Sequence, residues 1–152
     1  MSRVKLASVQ FSPASFEREA NMEKAVFWTK KALEEGARIV VLPELFDSGY
    51  CVEDKDLELG LDLNNNKSST LAPLIELSKI YNAYIIANSI EKSKISFTIQ
   101  PTYFLKRVCL VNTAKFIFMI MRKRFNKGKK YPVFELKFEE FKVKVGLGIC
   151  YV

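Results

Sequence analysis

The chain has 152 residues, with 24 lysines and arginines against 17 acidic residues and a formal net charge of +7. Hydrophobic residues make up 49% of it, which is enough to bury one core and too much for a disordered chain. Histidine is absent, so a Ser-His-Asp triad, a Cys-His pair and an HExxH zinc site are excluded within this sequence. A nucleophile in this chain has to be activated by a carboxylate, a lysine or a backbone dipole.

The three cysteines, Cys51, Cys109 and Cys150, are widely spaced and include no CxxC pair. An odd number of scattered thiols without histidine predicts neither a disulfide framework nor a zinc site. The amino terminus has no apolar segment of signal-peptide length, and lysine and arginine interrupt the longest apolar region, residues 95–121. These features favour a reducing compartment, and we expect a cytoplasmic protein without membrane contact.

The first ninety residues alternate between strand and helix patterns. The predicted elements are, in chain order, a strand at 4–11, a helix at 21–35, a strand at 38–42, a helix at 71–81 and a strand at 84–90. The strand at 38–42 is a short apolar run, typical of a strand covered on both faces. Asn21 is expected to cap the start of the first helix and Gly36 its end. This order predicts βαβ units.

The second part of the chain shows no helical pattern between its strands. Strands are predicted at 108–111, 116–121, 133–138 and 141–149, as an antiparallel meander joined to the same sheet system. Residues 101–152 carry 12 basic and 3 acidic groups, against 12 and 14 in residues 1–100. The densest basic run, residues 122–130, is typical of a solvated loop, and contact with phosphate or nucleic acid is the alternative.

Three residues in these segments can carry chemistry. Glu44 follows Pro43, which cannot donate to a sheet, so Glu44 is expected at the carboxyl edge where ligands bind in open α/β sheets. Cys150 directly follows the last predicted strand and is either a buried core thiol or a reactive one. Lys123, at the end of the strand predicted at 116–121, can stabilise a developing oxyanion, although nothing local distinguishes it from the neighbouring cations.

Over essentially its whole length the sequence resembles the nitrilase superfamily of carbon–nitrogen hydrolases. The most specific matches are GARIVVLPELFDSGY at residues 36–50 and KVGLGICY at residues 144–151. The resemblance implies an α/β fold, namely part of a four-layer α-β-β-α sandwich with mixed sheets. Because the match covers the amino-terminal half of the family's usual domain, we expect residues 1–152 to form a single, truncated carbon–nitrogen hydrolase domain.

Carried over by position, the resemblance implies that Glu44 is a general base, Lys123 supports the tetrahedral intermediate and Cys150 is the nucleophile. The implied reaction converts a small amide or nitrile to a carboxylic acid and ammonia through a thioester, without a metal or organic cofactor. The family commonly dimerises, so a homo-oligomer is expected. The segment around Lys123 departs from the family pattern, with Met121 before it and Gly128 at the place of a second family glutamate.

Two other functions are compatible with the sequence. The first is an inactive, truncated remnant that keeps the fold of such an enzyme without turnover. The second is a basic module that binds nucleic acid or an acidic partner. The second is the weaker alternative, because only Phe125 and Tyr131 supply aromatic rings among the basic residues and no nucleic-acid-binding motif is present.

Overall fold

The computed structural model describes residues 3–49, 61, 70–92, 97–104, 109–110 and 133–146. The helices and strands in these residues are β1 (Leu6–Ser8), α1 (Arg18–Glu34), β2 (Ile39–Val41), α2 (Ala72–Ile80), β3 (Tyr84–Lys92), β4 (Phe97–Phe104), β5 (Cys109–Leu110), β6 (Val133–Lys137) and β7 (Lys142–Gly146). Strands β1 to β5 form one sheet in that order, and β6 pairs with β7 in a second sheet. Neither described helix is long and apolar enough to cross a membrane.

The first sheet is mixed. Its first three strands are parallel, with Leu6 opposite Ile39 and Ile39 opposite Tyr84, whereas β4 and β5 are antiparallel to their neighbours. Helix α1 connects β1 to β2, and α2 lies between β2 and β3 in the chain, which confirms the predicted βαβ order. Strand β4 was not predicted, because its sequence, FTIQPTYF, contains a proline and lacks regular alternation.

The strands β2 and β3 of the first sheet bury side chains on both faces. One face packs against the helices, where fully buried residues include Ala25, Val40, Leu74 and Ile85. The opposite face contributes Ile39 and Tyr84 to a second core with Leu136 of β6. Because adjacent residues of a strand point to opposite faces, Ile39 and Val40 enter different cores, and the prediction of a strand covered on both sides is confirmed.

The meander prediction implied that β6 and β7 join the first sheet, and this is wrong. They form a separate hairpin that packs on the face of that sheet. The partly buried side chains of Phe134, Val143 and Val145 pack against the core of Ile39, Tyr84 and Leu136. Burial of these apolar side chains favours stacking of the hairpin on the sheet over pairing of the two edges. The Tyr84 hydroxyl links the two sheets by donating to the Lys137 carbonyl (3.0 Å) and accepting from the Lys137 amide (2.9 Å). The described residues therefore form three successive layers: helices, mixed sheet and hairpin.

The ends of α1 show one correct and one wrong prediction. Gly36 has φ +88° and follows the helix as expected. Its amide donates to the Leu33 carbonyl (2.9 Å) and the next amide, of Ala37, to Ala32 (3.0 Å), which is the Schellman pattern. At the other end the helix begins at Arg18, three residues before Asn21, so Asn21 is not the N-cap. It is fully buried and uses its side chain for tertiary hydrogen bonds instead.

Candidate active site

Glu44 lies at the carboxyl edge of the parallel strands, where the sequence predicted it. Pairing continues just beyond β2, since Val9 donates to the Val41 carbonyl and Leu42 donates to the Ile86 carbonyl, both at 2.9 Å. Pro43 then ends the ladder, and the half-buried Glu44 begins a turn at residues 44–48, which we call the Glu44 turn. The chain direction thus places this carboxylate at the end of β2, the middle of the three parallel strands, where ligands bind in such sheets.

The backbone immediately after Glu44 has an unusual conformation. Leu45 has φ +50°, a left-handed geometry that costs a branched L-residue about 1–2 kcal/mol. Its amide donates to the Asn88 side-chain oxygen of β3 at 3.1 Å, in a buried position. Because Leu45 is only 2% exposed, removing that acceptor would leave a buried N–H unsatisfied, at a cost of about 1–3 kcal/mol. The contact with Asn88 therefore helps to hold the strained residue in place.

Gly49 fixes the far end of the turn against the loop that follows β1. It has φ +79°, and a Cβ at this position would lie 2.8 Å from the Ala14 carbonyl oxygen and 2.8 Å from the Ser15 Cα. Glycine alone adopts this positive φ without strain and has no Cβ to collide with the neighbouring backbone. Phe16 donates its amide to the Ser48 carbonyl (2.9 Å), which joins the same two segments. This contact explains the glycine that follows Asp-Ser in the sequence.

Asp47, within the Glu44 turn, is a fully buried carboxylate. Its Oδ2 accepts a hydrogen bond from the Ser89 hydroxyl at 2.7 Å. The same oxygen forms an ion pair with Arg18 Nε at 3.2 Å, although the Nε–H is not aligned for a hydrogen bond to it. Burial raises the pKa of Asp47, and the Arg18 charge and the Ser89 hydrogen bond offset this only in part. The side-chain amide of Asn21 donates hydrogen bonds to the Asp47 carbonyl (3.0 Å) and to the Ala14 carbonyl (2.7 Å), which connects the turn to α1.

The raised pKa of Asp47 predicts a pH-dependent stability. Between the ordinary value of 3.8 and the higher folded pKa, the folded chain retains a proton that the unfolded chain has lost. Raising the pH through this window should therefore destabilise the wild-type chain relative to Asp47→Asn, which has no carboxyl to ionise. Urea unfolding of both chains across the window measures the difference. If wild type instead gains stability relative to Asp47→Asn as the pH rises, attraction to Arg18 outweighs burial.

The other two predicted site residues, Lys123 and Cys150, lie outside the described residues, as does Tyr151 after the cysteine. Strand β7 ends at Gly146, four residues before Cys150. Within the described ranges, no three acidic or cysteine side chains come together as a metal site would require. The polar residues that contact the Glu44 turn were not predicted from the sequence, where their one local signal is the pair Asn88 and Ser89 after the apolar run YIIA.

Comparison with known proteins identifies the family of this chain. The family model for carbon-nitrogen hydrolases matches residues 5–152. The chain belongs to the carbon-nitrogen hydrolase family. A curated relative named nitrilase, from Pyrococcus abyssi, is 31% identical over 157 residues, covering 97% of this chain and 56% of the relative. The chain thus spans about half the length of this relative.

Solved structures of this family share the fold. Nit3 from Saccharomyces cerevisiae, a nitrilase-superfamily member, matches with a TM-score of 0.81 and 23% identity, covering 97% of this chain and 55% of its own. A glutamate-to-glutamine variant of the amidase from Nesterenkonia sp. AN1 matches with a TM-score of 0.70 and 14% identity, covering 93% and 56%. That variant carries acrylamide on its active-site cysteine by Michael addition. These likenesses confirm the predicted α/β fold of the nitrilase type.

Proposed function

We propose that this carbon-nitrogen hydrolase chain cleaves a small linear amide or nitrile through a thioester on Cys150, with Glu44 as general base and Lys123 as oxyanion support. The observation that carries the proposal is the position of Glu44. It is half-buried and follows the middle parallel strand on a turn that Asn88, Asp47 and Gly49 hold in place. A general base has to be held in a fixed position relative to the proton it removes.

The proposed reaction on an amide has two stages. The Cys150 sulfur attacks the carbonyl carbon while Glu44 takes the thiol proton, and Lys123 stabilises the negative oxygen of the tetrahedral intermediate. The carbon–nitrogen bond then breaks, Glu44 returns the proton to nitrogen, ammonia leaves and a thioester remains. In the second stage Glu44 deprotonates water, which attacks the thioester carbon. The carbon–sulfur bond then breaks and Glu44 returns the proton to sulfur, which leaves a carboxylic acid and the free thiol. These reaction steps require neither a metal ion nor an organic cofactor.

Two comparisons support the proposal independently of Glu44. The family match extends through residue 152 and so includes both Lys123 and Cys150. The Nesterenkonia amidase has a cysteine in its active site that reacts with an unsaturated amide. Because the present chain spans about half of such relatives, its activity, its substrate and any assembly into oligomers remain part of this proposal.

Intact-protein mass spectrometry tests the nucleophile. Wild-type chain incubated with propionamide or propionitrile should gain an acyl adduct that hydroxylamine removes, as expected for a thioester. Cys150→Ala should form none, whereas Cys109→Ala, the matched substitution in β5, should acylate like wild type. An adduct that persists in Cys150→Ala contradicts the assignment of Cys150. A wild-type chain that forms no adduct with either probe and releases no ammonia from them favours the alternative of an inactive remnant of the family.

A further inference from the structure

Buried polar side chains in the described part of the chain concentrate around the Glu44 turn. The buried polar side chains of this described part are Asn21, Thr29, Asp47, Ser48, Ser78, Asn88 and Ser89. All but Thr29 and Ser78 either belong to the turn or hydrogen-bond to it. Burying a polar group is unfavourable unless it is paired, so such a concentration at one turn of a small core requires a specific role.

Two of these residues are neighbours on β3 and contact the turn at two separate points. Asn88 accepts the Leu45 amide directly after Glu44, and Ser89 donates to Asp47 two residues further on. The register of β3 with β4 shifts just before these two residues, because Ala87 pairs with Tyr103 and Asn88 with Pro101, so that β4 has one additional residue there. Irregularities of this kind increase the local twist of a strand pair and are frequent next to active sites.

The two contacts act on the backbone that carries Glu44. The Asn88 oxygen satisfies the amide of Leu45, whose positive φ sets the direction in which the chain leaves Glu44. The Ser89 hydroxyl and Arg18 both contact Asp47 Oδ2, so rotation of the turn would separate buried polar groups from their partners. Neither β3 residue has to touch a substrate for this effect.

We propose that Asn88 and Ser89 are positioning residues that hold Glu44 in its working orientation by anchoring the Glu44 turn to β3. The inference rests on the proposed function, in which Glu44 is the general base. It adds to that function a set of residues on a different strand whose loss would misplace the carboxylate without removing it. General-base catalysis depends on hydrogen-bond reach, so a small displacement of Glu44 lowers the rate.

The test compares Asn88→Leu and Ser89→Ala with Ser78→Ala. Ser78 is a matched control because it is also a buried serine, and its hydroxyl donates to the Ile75 carbonyl at 2.8 Å within α2. Three measurements are made on the full chain: amide hydrogen exchange of Leu45, the NMR titration of the Glu44 carboxyl, and the pH profile of thioester formation with propionamide.

Asn88→Leu should accelerate exchange of the Leu45 amide by about tenfold, the loss expected for one hydrogen bond. Asn88→Leu and Ser89→Ala should both shift the Glu44 titration midpoint and move the inflection of the acylation profile with it. Ser78→Ala should leave all three measurements at their wild-type values. Asn88→Asp keeps an oxygen acceptor and should restore Leu45 protection, which preserves the test if the leucine variant fails to fold.

Two results overturn different parts of the proposal. If Asn88→Leu and Ser89→Ala behave like Ser78→Ala in exchange and titration, the anchoring role is wrong even where Glu44→Gln abolishes acylation. If exchange and titration respond as expected but Glu44→Gln acylates at the wild-type rate, Asn88 and Ser89 still anchor the turn. In that case the proposed role of Glu44 as the base is what fails.

Discussion

Replacing Glu44 by glutamine is expected to slow thioester formation at Cys150 by about 10²- to 10⁴-fold, the range over which a positioned general base contributes. The amide of glutamine is close to the carboxylate in size and preserves packing at this half-buried position, but it cannot accept the thiol proton. The rate is measured by quenched mass spectrometry of the acyl adduct formed from propionamide.

Glu35→Gln provides the matched control for this experiment. Glu35 is an exposed glutamate at the end of α1, and the chain returns from there to the amino end of β2, the opposite edge of the sheet from Glu44. The control should acylate at the wild-type rate. Wild-type acylation by Glu44→Gln would show that another group removes the thiol proton and that the assignment of the base is incorrect.

Replacing Phe46 by alanine is expected to destabilise the fold strongly. Phe46 is fully buried in the core between the helices and the first sheet, and it lies within the Glu44 turn. Truncating a buried phenylalanine costs about 3–5 kcal/mol, because the transferred surface is lost and a cavity remains. The free energy of unfolding from urea titration measures the loss, and a domain with a margin of about 5–15 kcal/mol would lose a large part of it.

Phe27→Ala is the corresponding control on α1. Phe27 is 61% exposed and contacts the Trp28 ring edge-on, with the ring centroids 5.2 Å apart. Its truncation should cost no more than about 1.5 kcal/mol, the upper value for such an aromatic pair. Equal losses for Phe46→Ala and Phe27→Ala would mean that the turn does not pack into the core as described.

The sequence predicted those features that depend on local pattern. The apolar run before Pro43 located β2 and the position of Glu44 at its end, because proline interrupts a ladder wherever it occurs. Gly36 marked the end of α1 for a similarly local reason, the need for a positive φ. The family motifs at residues 36–50 and 144–151 supplied the fold class, which the solved structures confirm.

Features that depend on partners distant in the chain were not predictable. Asn21 has the residue type of an N-cap, but it lies inside the helix, where its side chain donates to the Ala14 and Asp47 carbonyls, 7 and 26 positions away. The contact of Asn88 with Leu45 joins residues 43 positions apart, and no periodicity indicates it. The convergence of Glu44 with Lys123 and Cys150 stays a prediction, since the last two lie outside the described residues.

The Tyr84 hydroxyl has a mechanical consequence for the sandwich. It donates a hydrogen bond to the Lys137 carbonyl and accepts one from the Lys137 amide, so both bonds fix the position of β6 relative to β3. A shear of even half a residue spacing, about 1.7 Å, would break both bonds together. Together with the apolar contacts between the two sheets, this pair of hydrogen bonds therefore resists sliding of the hairpin across the first sheet.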